Sequence, residues 1–72
     1  MMPLSMAKIE ETFNIKKIIG KDETMRHMEE LGFVVGESIT VVAQMAGNLI
    51  INVKGTRIAL DKIMANRIMV QN

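Results

Sequence analysis

From Gly36 onward the apolar residues recur with a period of two. Ile39, Val41 and Ala43 share one side of an extended segment, and Leu49, Ile51 and Val53 share one side of the next. That period belongs to strands with one buried face. Lys54-Gly55 suits a two-residue hairpin turn, because such turns need left-handed backbone that glycine adopts freely. The turn sets Ile51 opposite Ile58 and Leu49 opposite Leu60, so turn length and hydrophobic pattern agree. For the preceding connection a three-residue loop, Ala46-Gly47-Asn48, is expected. It faces Ala43 with Ile51 and Val41 with Val53.

Before Gly36 the period changes. Met25, Met28 and Leu31 recur at helical spacing and predict a helix over Glu23–Leu31 with a narrow apolar stripe. Asp22 is placed to cap it, because its carboxylate can accept from the free N–H groups of the first turn. Gly32 falls at the position after the helix where left-handed backbone is common. Phe33 then meets Met28, the contact of a Schellman ending. In the segment Thr12–Ile19, Phe13 and Ile15 alternate correctly, and a bulge near Lys16-Lys17 brings Ile18 into phase. Asp61 can cap a short helix reaching Asn66, and Arg67–Val70 makes a last strand. The order is strand, helix, three-strand meander, short helix, strand. This predicts a mostly β fold: one domain over residues 1–72, a small SH3-like barrel of about five strands with an inserted helix after strand one. The expected core is Phe13, Ile15, Met28, Leu31, Ile39, Val41, Leu49, Ile51, Val53, Ile58, Leu60 and Ile68.

Composition narrows the chemistry. Seventy-two residues make one small core and leave little material for a catalytic cleft. The absence of cysteine removes disulfides, thiolate metal sites and thiol catalysis. No apolar run approaches a membrane span, and Met1 to Met6 lack the charged start and long apolar stretch of a signal peptide. The expected location is therefore the cytoplasm, without membrane insertion. His27 is the only histidine, and a metal site normally needs three or four ligands. No tightly bound cofactor is expected; a weak transition-metal contact at His27 is the most this set allows. The eight methionines form no cluster with histidine or cysteine and are read as core or adaptable surface. A nucleophile would be Ser5, Ser38 or a threonine with His27 as base, and no spacing joins them, so no enzyme is expected.

Charge is uneven. Residues 1–37 carry five basic and seven acidic groups, whereas residues 38–72 carry Lys54, Arg57, Lys62 and Arg67 against Asp61 alone. The basic half could meet an acidic partner. Aromatic residues for stacking bases are nearly absent, with Phe13 and Phe33 alone, so nucleic acid is not the expected partner.

Several segments together carry a resemblance. Met28-Glu29-Glu30-Leu31-Gly32-Phe33-Val34-Val35-Gly36 followed by Ile39-Thr40-Val41 is similar to a segment of the ferrous iron transport protein A family, FeoA. So are Gly47-Asn48-Leu49-Ile50, Val53-Lys54-Gly55-Thr56-Arg57-Ile58-Ala59-Leu60, the ending Ala65-Asn66-Arg67-Ile68-Met69-Val70, and the opening Pro3-Leu4-Ser5. Ile9-Glu10 stands where the family often has Pro-Gly, which marks the first turn as different. The resemblance implies an SH3-like barrel with a helical insertion. It also implies a small cytoplasmic accessory protein of ferrous iron uptake. The implied partner is the membrane transporter FeoB, met through its cytoplasmic GTP-binding part at the inner face of the membrane. Homo-oligomers are compatible with it. The alternative is a nucleic-acid-binding barrel that uses Lys54, Arg57, Lys62 and Arg67. For the transporter, the expected contact surface is Met25, Arg26, Phe33, Val34, Val35, Met45 and Asn48, which joins exposed apolar groups to orienting charge.

Overall fold

A computed structural model describes all 72 residues. The strands are β1 (Met2–Pro3), β2 (Thr12–Ile18), β3 (Ser38–Met45), β4 (Asn48–Val53), β5 (Thr56–Asp61) and β6 (Ile68–Gln71). They form one six-stranded antiparallel sheet in the order β1-β6-β2-β3-β4-β5. Helix α1 (Asp22–Glu30) is inserted after β2, and the one-turn helix α2 (Lys62–Ala65) precedes β6. No helix is long and apolar enough to cross a membrane. The mostly β, SH3-like architecture is the expected one, with the two-residue β1 as an additional strand.

The sheet curls around a single core of sixteen buried residues, all apolar. Curling requires strands to bend, and two bulges supply the bend. One shifts the β2–β6 register between Ile15 and Lys17, so that Ile15 and Ile18 are both buried. The other lies in β3 between Val41 and Ala43. The sheet's edges, β1 and β5, are not paired to each other. A 3-10 turn at Leu4–Met6 and helix α2 lie between them. Leu4 and Ala65 are fully buried there, and the Ser5 hydroxyl donates to Asn66 Oδ1 across the gap.

The β4–β5 hairpin has the expected register, with Ile51 opposite Ile58 and Leu49 opposite Leu60. The β3–β4 hairpin does not. Its turn is the two residues Ala46-Gly47, so Asn48 already pairs with Met45. The bulge then recovers one residue, and Val41 faces Ile51 while Ile39 faces Val53. Pattern counting from the turn assumes an unbroken ladder, and the bulge breaks that assumption.

Helix α1 starts one residue earlier than predicted. Lys21 is its extended cap residue and makes no side-chain cap bond, while Asp22 lies in the first turn. A carboxylate there still complements the helix dipole. The other end is as the sequence indicates. Gly32 has φ of 103°, its N–H donates to Glu29 O at 2.9 Å, and Phe33 N–H donates to Met28 O at 2.9 Å. Both bonds of a Schellman ending are present, and the Phe33 and Met28 side chains are fully buried. Asp61 caps α2 by accepting from Met64 N–H at 2.8 Å.

The core differs from expectation at its margins. Leu31 and Ile58 are half-buried and pack against it from outside. Leu4, Ala7, Ile18, Phe33, Ala65 and Val70 join it.

Candidate functional site

Two ends of the β3–β4–β5 meander present exposed apolar groups beside cations. At the first end, Val34-Val35-Gly36-Glu37 forms a tight turn closed by Glu37 N–H to Val34 O at 3.0 Å. Gly36 takes φ of 94°, which suits the third position of a type II turn. Val35 at the apex is 63% exposed. Glu37 reaches Lys54 Nζ, at 3.8 Å, on the β4–β5 turn. The end of α1 docks beside this turn, since a Cβ on Gly32 would lie 3.7 Å from Lys54 Cδ and from Val53 Cγ2.

At the second end, the β3–β4 tip meets α2. A recess of about 230 Å³ is lined by Gln44, Met45, Ala46, Gly47, Asn48, Leu49 and Lys62. Met45 is 63% exposed on its rim, and Ile63, next to Lys62 on α2, is 69% exposed. No salt bridge engages Lys62. A one-turn helix can bury only one side. Ala65 takes that role, and Ile63 is left outward.

The residues expected to form one contact surface are thus divided. Val34 and Val35 precede β3 and Met45 ends it, so seven residues of extended chain, roughly 20 Å, separate them. Met25 is half-buried against the core and Arg26 is exposed on α1. Phe33 offers no surface at all, because the Schellman ending turns it into the core over Met28. Asn48 is exposed beside Met45. Ile63 escaped the sequence reading, although an isoleucine on a capped one-turn helix is itself a signal of an uncovered apolar group.

The basic residues are divided too. Lys54 and Arg57 lie at the β4–β5 tip, and Lys54 is paired with Glu37. Lys62 follows the far end of β5, roughly 15 Å away along the strand. Arg67 lies elsewhere, its guanidinium near Gly20 at the approach to α1. No continuous basic stripe results.

Catalytic candidates do not converge. The Ser38 hydroxyl donates to Asn14 Oδ1 at 3.0 Å, Thr12 and Thr40 hydroxyls share a 3.2 Å bond, and Ser5 is bonded to Asn66. Each ties neighbouring elements together, and His27 is exposed and bonded to none of them. No three His, Cys, Asp or Glu side chains cluster in a way that could hold a metal ion.

The fold and these surfaces define a small SH3-like β domain with two apolar-and-cationic ends. Comparison with known proteins gives its family. The FeoA domain model matches residues 2–72, so the chain belongs to the FeoA family, associated with ferrous iron transport. It is 33% identical over 72 residues to a Methanocaldococcus jannaschii protein whose name provisionally makes it Fe(2+) transport protein A. The match covers 100% of this chain and 88% of that protein. Among solved structures it resembles an iron uptake regulatory protein, FeoA, with TM-score 0.89 and 31% identity over 97% of this chain and 93% of that one. It also resembles the zinc complex of Stenotrophomonas maltophilia FeoA, described as a prokaryotic SH3 domain protein. There the TM-score is 0.85 and the identity 30%, covering 99% and 91% of the two chains.

Proposed function

We propose that the chain is a cytoplasmic accessory protein of ferrous iron uptake that binds and modulates the membrane transporter FeoB through its cytoplasmic GTP-binding part. It acts by binding rather than by catalysis, at the inner face of the membrane and without insertion. The observation that carries the reading is the recess at the β3–β4 tip, where exposed Met45 and an unpaired Lys62 share the lining. Apolar area supplies affinity in such a contact and a rim charge supplies orientation. Family membership supports iron transport as the setting. The nucleic-acid alternative loses support from the dispersal of Lys54, Arg57, Lys62 and Arg67.

The test is a pull-down by the transporter's cytoplasmic domain at moderate salt, with and without GTP. Met45→Asp with Lys62→Glu should lose at least about tenfold in affinity, the scale of one disrupted interface anchor. Val35→Asp with Lys54→Glu should bind within about twofold of the parent, since rim changes outside an interface cost little. The reverse pattern would move the contact to the α1 end. Normal binding by both, after thermal melts show intact folding, would overturn both surfaces.

Metal enters this reading as cargo of the transporter rather than as a resident ion. With His27 alone and no carboxylate cluster around it, Fe(II) or Zn(II) titrated into the monomer should show no one-to-one binding tighter than about 1 µM. Calorimetry finding such a site would contradict the proposal. Metal shared between chains through His27 would not.

A further inference from the structure

The two edges of the sheet are built differently. One is β1, two residues long and containing Pro3. A short strand with proline is a protected edge, because it offers little ladder and lacks a donor. The other is β5, six residues long, free of proline and paired to β4 without a register shift. Its outer side has no partner strand.

The turn determines which backbone groups face outward. In a two-residue hairpin the flanking residues exchange hydrogen bonds, and bonded pairs then alternate along the ladder. Val53–Thr56, Ile51–Ile58 and Leu49–Leu60 are therefore the bonded pairs. Arg57, Ala59 and Asp61 direct their N–H and C=O groups away from β4. None of the backbone hydrogen bonds made outside helices and strands uses these groups, and all three residues are exposed.

The strand is complementary to itself. Laid antiparallel against a second β5 about a twofold axis at Ala59, it sets Ala59 against its own copy and Arg57 against Asp61 of the second chain, twice. Ile58 then meets Leu60 on the core-facing side. Asp61 is the cap residue of α2 and its C=O accepts the first bond of that helix, so the three residues that pair offer five free groups and about four new hydrogen bonds. The two charges that would repel a mismatched strand become two opposite-charge cross-strand pairs. Asp61 Oδ1 is engaged by Met64 N–H, which leaves its second oxygen for the arginine.

We propose that a second copy of this chain pairs along β5, joining the two sheets into one through an Ala59-centred antiparallel ladder. This contact is separate from the recess and does not depend on the transporter reading. It is small, so the dimer should be weak, with a dissociation constant between about 10 µM and 1 mM, as suits a contact of limited area.

The chain's lack of cysteine makes the test direct. Paired Ala59 residues would have Cα atoms about 5.5 Å apart, within disulfide reach. Ala59→Cys should oxidise to a disulfide dimer at least about tenfold faster than Lys16→Cys, a control on the exposed β2 bulge. In sedimentation velocity up to 1 mM, the parent should shift toward dimer. Arg57→Glu should weaken association about fivefold or more by facing Asp61 with a like charge. Ala59→Pro removes only an outward N–H and should weaken it at least about tenfold. If that variant melts early, the cysteine and Arg57→Glu results decide. Equal oxidation of the two cysteine variants, or a parent that stays monomeric at 1 mM, overturns the proposal. So does a monomeric parent whose transporter binding is abolished by Ala59→Pro, since the edge would then hold a foreign strand.

Discussion

The two hairpins of the meander share a turn type and differ in everything around it. Lys54 and Gly55 have φ of 51° and 76°, and Ala46 and Gly47 have φ of 50° and 82°. Both are two-residue turns with left-handed backbone at each central position, the form whose twist matches that of the strands. Yet β4–β5 continues without a shift, while β3–β4 carries a bulge four residues from its turn. A turn therefore determines register only until the ladder is interrupted. The bulge in β3 lets the strand bend around the core, a demand that an edge strand such as β5 does not share. The two tips also differ chemically. The Lys54 tip is braced by Glu37 and by the end of α1, whereas the Ala46 tip borders an open recess. The braced tip is tied to two neighbouring elements, and under the proposed function the unbraced one meets the partner.

The largest expected effect comes from the residue common to both hairpins. Ile51 faces Val41 on one side and Ile58 on the other and is fully buried. Ile51→Ala should cost about 2–5 kcal/mol, much of the stability a domain of this size has. Urea unfolding measures it, and a loss below about 1 kcal/mol would mean the two ladders do not share one core.

Next are the turn glycines. No atom lies within 4 Å of a Cβ built on Gly47 or Gly55, so the penalty of a side chain is conformational alone. Gly47→Ala and Gly55→Ala should each cost about 1–2 kcal/mol, the cost of left-handed backbone in a residue with a Cβ. Equal costs would show that the turns are equivalent and that the hairpins differ only beyond them. A much larger cost at Gly55 would mean that bracing by α1 depends on the shape of that turn.

The smallest effect separates the tips by their side chains. Ala46→Asn places a residue tolerant of left-handed backbone in an exposed turn and should stabilise by about 0.5–1 kcal/mol. Lys54→Asn makes the same conformational gain but gives up the partly exposed pair with Glu37, worth about 0–1 kcal/mol, so its net change should be smaller. Thermal melts of the two variants at low and high salt distinguish them, because only the Lys54 substitution should change the salt dependence.

Much of this protein was legible in the order of its residues, wherever the cause of a feature was local. The alternation of Leu49, Ile51 and Val53 around Lys54-Gly55 specified a hairpin and its register. Gly32 and Phe33 specified how α1 ends, and Asp61 how α2 begins. The bulge in β2 was legible because Ile18 would otherwise point to solvent. Features that depend on distant parts of the chain were not. Nothing near Val42 announces the β3 bulge, which answers to the curvature of the whole sheet. Leu4 and Ala65 become core only because the two unpaired edges leave a gap between them. The expected contact surface divided for the same reason: separation along the sequence does not reveal that an extended β3 sends Val35 and Met45 to opposite ends, while folding brings Lys62 beside Met45. Short-range sterics and periodicity determined the elements, and long-range packing decided which exposed side chains became neighbours.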